Sequence, residues 1–254
     1  MENIRELSVD DVYYNVTTKE FMDLAKGNNF FHGRFNDGEF NSIQSIKNSL
    51  NVNSSNCDGH QYFYELGVDI KQVLTEYEYS NNYIISGGEN YFHDFKPMFI
   101  ELYKENSKLR IQNGYFYYDL IMNPEYFEEF NSFLNEKEVV IIGPDYMQEI
   151  KLFKNFQVIE IPLRNAYLSK KIVCDKINEL NEIGEPINYC FVAGMMSSVI
   201  IHEFSKLDKK NSYFNIGSAW DYFFQSSKYN MIKHRGIYND LVNKYNKNYI
   251  KYII

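Results

Sequence analysis

The chain has 254 residues, of which 44% are hydrophobic, and a formal net charge of -8. That length supports a sizeable core in one large domain or two small ones. The acidic balance, with no long basic block, excludes a general nucleic-acid or anionic-membrane binder. Cys57, Cys174 and Cys190 are widely separated and offer neither a disulfide framework nor a zinc spacing. No apolar run reaches membrane-spanning length. The expectation is a cytoplasmic protein with no membrane span and no nucleic-acid partner.

Thr17 or Thr18 can cap a short helix running to Lys26 and ended by Gly27. Residues 29–35 predict a strand, and 37–48 a helix that begins at an acidic pair. Residues 50–60 are rich in Asn and Ser, lack periodicity and predict a loop. A helix is expected over 61–78, and Tyr83-Ile84-Ile85-Ser86 reads as a short strand broken by Gly87-Gly88. The region 90–135 is mostly helical, punctuated by Pro97, Gly114 and Pro124.

From residue 138 the pattern sharpens. Val139-Val140-Ile141-Ile142-Gly143-Pro144 is an apolar run closed by a turn, and a helix near 145–154 leads to Gln157-Val158-Ile159-Glu160-Ile161-Pro162. A helix near 168–182 follows, then the run from Asn188 to Gly194, a helix to about Leu207, and Tyr213-Phe214-Asn215-Ile216-Gly217. Apolar runs alternating with helices predict an α/β fold, a largely parallel sheet with helices on both faces. No repeat or Pro/Ser-rich linker splits residues 1–254, so one domain is expected, with a polar C-terminal helix near 236–250.

Strand ends carry the candidate chemistry, because side chains there point into a crevice rather than the core. The first strand ends in Arg34 and is followed by Asp37 and Glu39. These two carboxylates project the same way if the backbone stays extended through Gly38. Two hard oxygen ligands beside an arginine suit a divalent metal carrying a phosphorylated substrate, and the same residues also suit an ordinary turn. Gly194-Met195-Met196-Ser197-Ser198 enters a helix whose first amides favour an anion such as a pyrophosphate. Glycine after a strand is also common, and this is neither a Walker loop nor a GxGxxG fingerprint.

At Pro162-Leu163-Arg164-Asn165, Asn165 has the donors and acceptors to read a base or ribose, or it belongs to a helix-entry turn. Trp220-Asp221 can hold a sugar ring, or serve as core anchor and cap. The five histidines show no ligand spacing, and His202 sits in an amphipathic helix as a structural residue.

Taken in order, these segments resemble the GT-D-type glycosyltransferases. The match is carried by Arg34-Phe35-Asn36-Asp37-Gly38-Glu39, similar to the family's Arg-Phe-Gly-Asp-Gly-Glu. The strand at 139–143 and Pro162-Leu163-Arg164-Asn165-Ala166-Tyr167, similar to Pro-x-x-Asn-Ala-Phe, extend it. Val192-Ala193-Gly194 with its helix and Phe214-Asn215-Ile216-Gly217 complete the order, over roughly 28–225. The chain departs from the pattern at Asn36 for glycine, Asn215 for aspartate, and Ser218-Ala219 for His-Ile.

The resemblance implies a Rossmann-like sheet and transfer of a sugar from a nucleotide-sugar donor, UDP-linked, to a glycan or glycoprotein acceptor. It makes Asp37 and Glu39 the carboxylates for Mn²⁺ or Mg²⁺ and for the donor. Arg34 then orients the motif or touches phosphate, while Gly194, Ser197 and Ser198 face the diphosphate and Asn165 helps read the nucleoside. Asp221 is a candidate for acceptor activation or sugar binding. Two other readings stand beside this one: a non-catalytic nucleotide-sugar or carbohydrate-binding module, and a sheet-based methyltransferase.

Overall fold

The computed structural model describes residues 7–27, 29–47, 59–224, 249, 251 and 252. Most of the helix expected near 236–250, and Cys57, lie outside the described residues. In chain order the elements are α1 (Val9–Val12), β1 (Tyr13–Asn15), α2 (Thr18–Ala25), β2 (Phe31–Arg34), α3 (Asp37–Lys47) and α4 (Tyr64–Glu76). There follow β3 (Tyr83–Gly87), α5 (Asn90–Asp94), α6 (Lys96–Glu105), β4 (Ile111–Asn113), α7 (Phe116–Met122) and α8 (Pro124–Leu134). The remainder is β5 (Glu138–Gly143), β6 (Phe156–Glu160), α9 (Lys170–Ile183), β7 (Ile187–Phe191), α10 (Met196–Leu207) and β8 (Ser212–Asn215). Short 3-10 helices occupy Asp145–Glu149, Ala166–Ser169 and Ala219–Phe223.

The strands form one sheet in the order β1-β4-β3-β2-β8-β7-β5-β6, and every pairing is parallel. This is the α/β architecture expected from the apolar runs, whose central strands are buried along their whole length. Successive strand residues feed two cores. Ile85, Ile142, Tyr189 and Tyr213 join one with α3, α4, α6, α9 and α10. Ile84, Ile141, Cys190 and Phe214 join the other with α2, α7, α8 and the Ala219–Phe223 segment.

Much of the aromatic content is explained here. Tyr189 stacks on Tyr213 at 4.8 Å, and Tyr213 on Phe31 at 5.1 Å, across neighbouring strands. Offset aromatic pairs of this kind contribute roughly 0.5–1.5 kcal/mol beyond their burial.

Local signals held at several points. Thr17 is the cap of α2: its Oγ1 accepts from the Glu20 amide, and Glu20 Oε2 accepts from the Thr17 amide. Other segments differ from expectation. The helix near 145–154 is only the 3-10 turn Asp145–Glu149, because Asn131 and Asn135 donate to the Leu152 carbonyl and hold the next stretch irregular. The strands β1 and β4 are three residues each and pair mainly with distant partners, so neither shows a periodic pattern.

Candidate active site at the carboxyl edge of the sheet

Because β8 lies between β2 and β7, the loops after these three strands are neighbours. From β2 and β7 the chain turns into α3 and α10 on one face, whereas after β8 it turns to the other. Such a parting of the chain leaves a crevice, the usual ligand position in parallel sheets.

Arg34 ends β2 and is 7% exposed. Its Nη1 donates to the Ile216 carbonyl at 2.7 Å, and the guanidinium carbon sits 5.7 Å from the centre of the Tyr118 ring. With its amide oxygen turned toward the guanidinium, Asn36 accepts from Nη2 at 3.3 Å. The groups bonded to it are neutral oxygens and a ring face; Glu39 lies near enough to feel the charge, but no carboxylate is paired directly with the guanidinium among the described residues. An arriving anion gains from that arrangement. Gly217, at φ 59°, makes it possible: a Cβ there would stand 2.1 Å from Nη1. Tyr118 and Gly217 were not singled out in the sequence as arginine partners; a glycine directly after a strand was the available signal for the second.

Ser198, Asn215 and Arg34 are tied together. Ser198 Oγ donates to the Arg34 carbonyl at 2.7 Å and accepts from Asn215 Nδ2 at 3.1 Å. The Ser198 hydroxyl therefore pins α10 to the ends of β2 and β8 instead of facing a phosphate. Ser197 differs: its Oγ is buried and has no hydrogen-bond partner among the described residues.

The acidic pair is split. The backbone is helical from Asp37 onward, not extended through Gly38. Residues two apart on a helix diverge by about 200°, so the carboxylates do not share a face. Asp37 is exposed and its backbone is hydrogen-bonded to the Tyr91 hydroxyl. Glu39 is buried, with Oε2 accepting from the Asn36 amide at 2.9 Å. That is the return half of a capping box, with Asn36 as cap and Glu39 three residues on.

Burial pushes the Glu39 carboxyl up to about 7, aided by Asp37 and opposed by the Asn36 and Glu39 backbone amides and by Arg34. A folded-state value above the usual 4.5 means that the fold retains the extra proton. The associated stability is full below pH 4.5 and is lost as pH rises through about 7. Glu39→Gln keeps the cap, because glutamine also serves at this position. The variant is expected to flatten the decline in unfolding free energy between acid and neutral pH by roughly 3 kcal/mol. Urea denaturation across a pH series, against the parent chain, checks this.

Asn165 adopts the left-handed conformation, φ 56° and ψ 38°. The side chain expected to read a nucleoside is engaged elsewhere: Oδ1 accepts from the Gln61 amide at 2.8 Å. Its own amide donates to His60 Nδ1 at 3.0 Å. Gly194 is also left-handed, and a Cβ there would stand 3.6 Å from the His60 ring. Asp221 is 3% exposed and accepts from the Tyr146 hydroxyl at 3.1 Å, between Trp220 and Tyr222 of the second core. Trp220 is a core residue against Phe153. His202 is buried between Tyr83 and Glu76, the structural role expected.

No three His, Cys, Asp or Glu side chains converge among the described residues. A ready-made cage for Mn²⁺ or Mg²⁺ is therefore not what these residues make. They do fit a cation that arrives on phosphate oxygens and takes one carboxylate from the protein, the usual habit of Mg²⁺. Asp37 is the accessible candidate.

No family model matches the chain, and no curated protein does. Solved structures match. A DUF1792 glycosyltransferase from Streptococcus sanguinis superposes with a TM-score of 0.57 at 14% identity over 84% of each chain. A second structure of the domain of unknown function 1792, described as having a distinct glycosyltransferase fold, gives 0.57 at 14% identity, covering 85% of this chain and 82% of its own. The chain has the GT-D glycosyltransferase fold. The resemblance seen in the order of the motifs is thus one of architecture, at a sequence identity too low to align side chains by itself. In the GT-D fold of this chain, Arg34, Asp37, Asn165 and the start of α10 all lie at the carboxyl edge, and Asp221 follows β8 inward.

Proposed function

We propose that this chain is a metal-dependent glycosyltransferase that moves a sugar from a UDP-linked donor to a glycan or glycoprotein acceptor. The observation that carries the reading is Arg34, a buried guanidinium on neutral partners in the central crevice of a glycosyltransferase fold. Breaking the bond between the anomeric carbon and the β-phosphate oxygen leaves negative charge on the diphosphate. Arg34 binds that charge, and the opening amides of α10 share it. Ser197 brings an unmatched hydroxyl to the same helix start.

Mn²⁺ or Mg²⁺, when bound, neutralises the leaving diphosphate. Asp37 would hold it, with Glu39 joining only through water or after releasing the Asn36 amide. Glu39 otherwise fixes the start of α3 so that Asp37 is presented. Asp221, as placed, stabilises the segment after β8, and its proposed part in acceptor activation requires that segment to open. The two cysteines described, Cys174 and Cys190, are both unpaired thiols, which supports a reducing, cytoplasmic setting. No helix among the described residues is long and apolar enough to cross a membrane.

A thermal-shift screen of nucleotide sugars, with and without Mn²⁺, tests the proposal. A ligand that binds the native state raises apparent stability by about 2.7 kcal/mol at a hundredfold excess over its dissociation constant. The expected result is a metal-enhanced shift with UDP-sugars; no shift with any nucleotide sugar overturns it. The second reading, a non-catalytic binding module, is favoured by the burial of Asp221. Binding without donor hydrolysis or transfer would establish it.

A further inference from the structure

Three consecutive residues lie across the far half of the crevice. A Cβ on Gly59 would stand 3.2 Å from Arg164 Nε. His60 places its ring 3.6 Å from where a Gly194 side chain would begin, and its Nδ1 accepts from the Asn165 amide at 3.0 Å. The Gln61 amide donates to Asn165 Oδ1 at 2.8 Å, and Gln61 Oε1 faces Asn165 Nδ2 at 3.4 Å. Residues 59–61 thus cover, one after another, Arg164, Gly194 and Asn165, the polar groups and glycine at the ends of β6 and β7. The pocket beneath is lined by His60, Asn165, Ala193 and Met195 and is water-sized at most.

We propose that Gly59–Gln61 is a strap closing the nucleoside subsite of the donor, which a nucleoside diphosphate must lift in order to bind. The inference rests on the donor reading above and adds a location and a gate to it. The strap supplies what a nucleoside would: a flat heteroaromatic ring over Gly194, and donor and acceptor groups matched to the Asn165 amide. Its hold is local and polar, Gln61 being exposed and Gly59 and His60 only half-buried. Asn165 sits in a left-handed conformation uncommon for a residue with a side chain, and two of its hydrogen bonds to the strap keep it there. A part-exposed segment held by a few exchangeable hydrogen bonds is of the kind that opens at low cost. A ligand need only bind the open arrangement better to shift it.

The test uses the full chain and UDP with Mn²⁺. Hydrogen exchange at the Gln61 amide is expected to accelerate on UDP binding, because that amide leaves Asn165 Oδ1 when the strap lifts. In parallel, His60→Ala removes one latch and is expected to raise the UDP association rate roughly tenfold, the scale of one net hydrogen bond. UDP binding with unchanged or slower exchange at the Gln61 amide overturns the strap, and so does an His60→Ala chain that binds UDP tenfold more weakly. The latter outcome would make His60 a wall of the subsite. If UDP binds neither the parent nor the variant, the donor reading itself fails and the strap falls with it.

Discussion

Asp37→Asn is expected to lower sugar transfer by roughly 10²-fold or more, the usual scale when charge stabilisation at a leaving group is removed. The same change should leave thermal stability nearly untouched. Asp37 is exposed at the first position of α3, where loss of one negative charge costs about 0.3–1 kcal/mol through the helix dipole. Loss of activity and retention of fold therefore separate cleanly at this residue. Rates of UDP-sugar consumption across a Mn²⁺ titration, with a melting curve on the same sample, check both halves. A rate equal to the parent's at every metal concentration would remove Asp37 from the site.

Glu39 has a different expectation because it occupies a different environment. It is buried, bonded to the Asn36 amide, and held near a pKa of about 7 by desolvation, against the opposing pull of the Asn36 amide and Arg34. A substitution that removes the carbonyl oxygen, such as Glu39→Ala, takes away the acceptor for Asn36 and loosens the turn that presents Asp37. Glu39→Gln retains it. The two carboxylates of one short motif are thus distinguishable by experiment, one through chemistry and the other through the geometry of the helix start.

The split was legible in the sequence in one respect and hidden in another. Asn36 followed by Glu39 three positions later is a capping pattern, and it points to a helix from Asp37. An alternating strand and a helix make opposite statements about residues two apart, and the glycine between them favours neither. The sheet was easier to see. The runs at 139–143 and 187–191 are buried strands, and 156–160 is an edge strand that buries Ile159; their apolar residues and the closing Gly143 and Pro162 are local signals. The strands β1 and β4 depend on pairing partners far along the chain, so no local pattern marks them.

Similar reasoning applies to the side chains of the site. That Arg34 ends a strand is local, but its lodging against Ile216 and Tyr118 depends on segments 182 and 84 positions away in sequence. Asn165 was visible as a polar residue at a strand end, yet its partners lie about a hundred residues earlier, at His60 and Gln61. Residue type shows what a group is able to do. Tertiary contacts decide which of those abilities is already engaged, as they do for Asn165, Ser198 and Asp221.

Arg34→Met is expected to weaken UDP binding by about 10- to 100-fold, because a hydrogen bond to a charged group contributes roughly 1.5–3 kcal/mol. Melting without nucleotide should change little or rise. Methionine fills similar volume and needs no polar partners, so the cost of a buried guanidinium with no direct ion pair disappears along with it. Two hydrogen bonds are lost, to Ile216 and Asn36, and both are with neutral oxygens. Arg34→Lys is not a mild version of this test. Lysine keeps the charge but lacks the planar fork that spans the Ile216 carbonyl and Asn36 together, so it should lose much of the binding while retaining the burial cost. Isothermal titration with UDP and Mn²⁺, beside melting curves of all three chains, gives the decisive pattern. A methionine chain that melts far lower and still binds UDP as tightly as the parent would show Arg34 to be a structural strut rather than the receptor for the diphosphate.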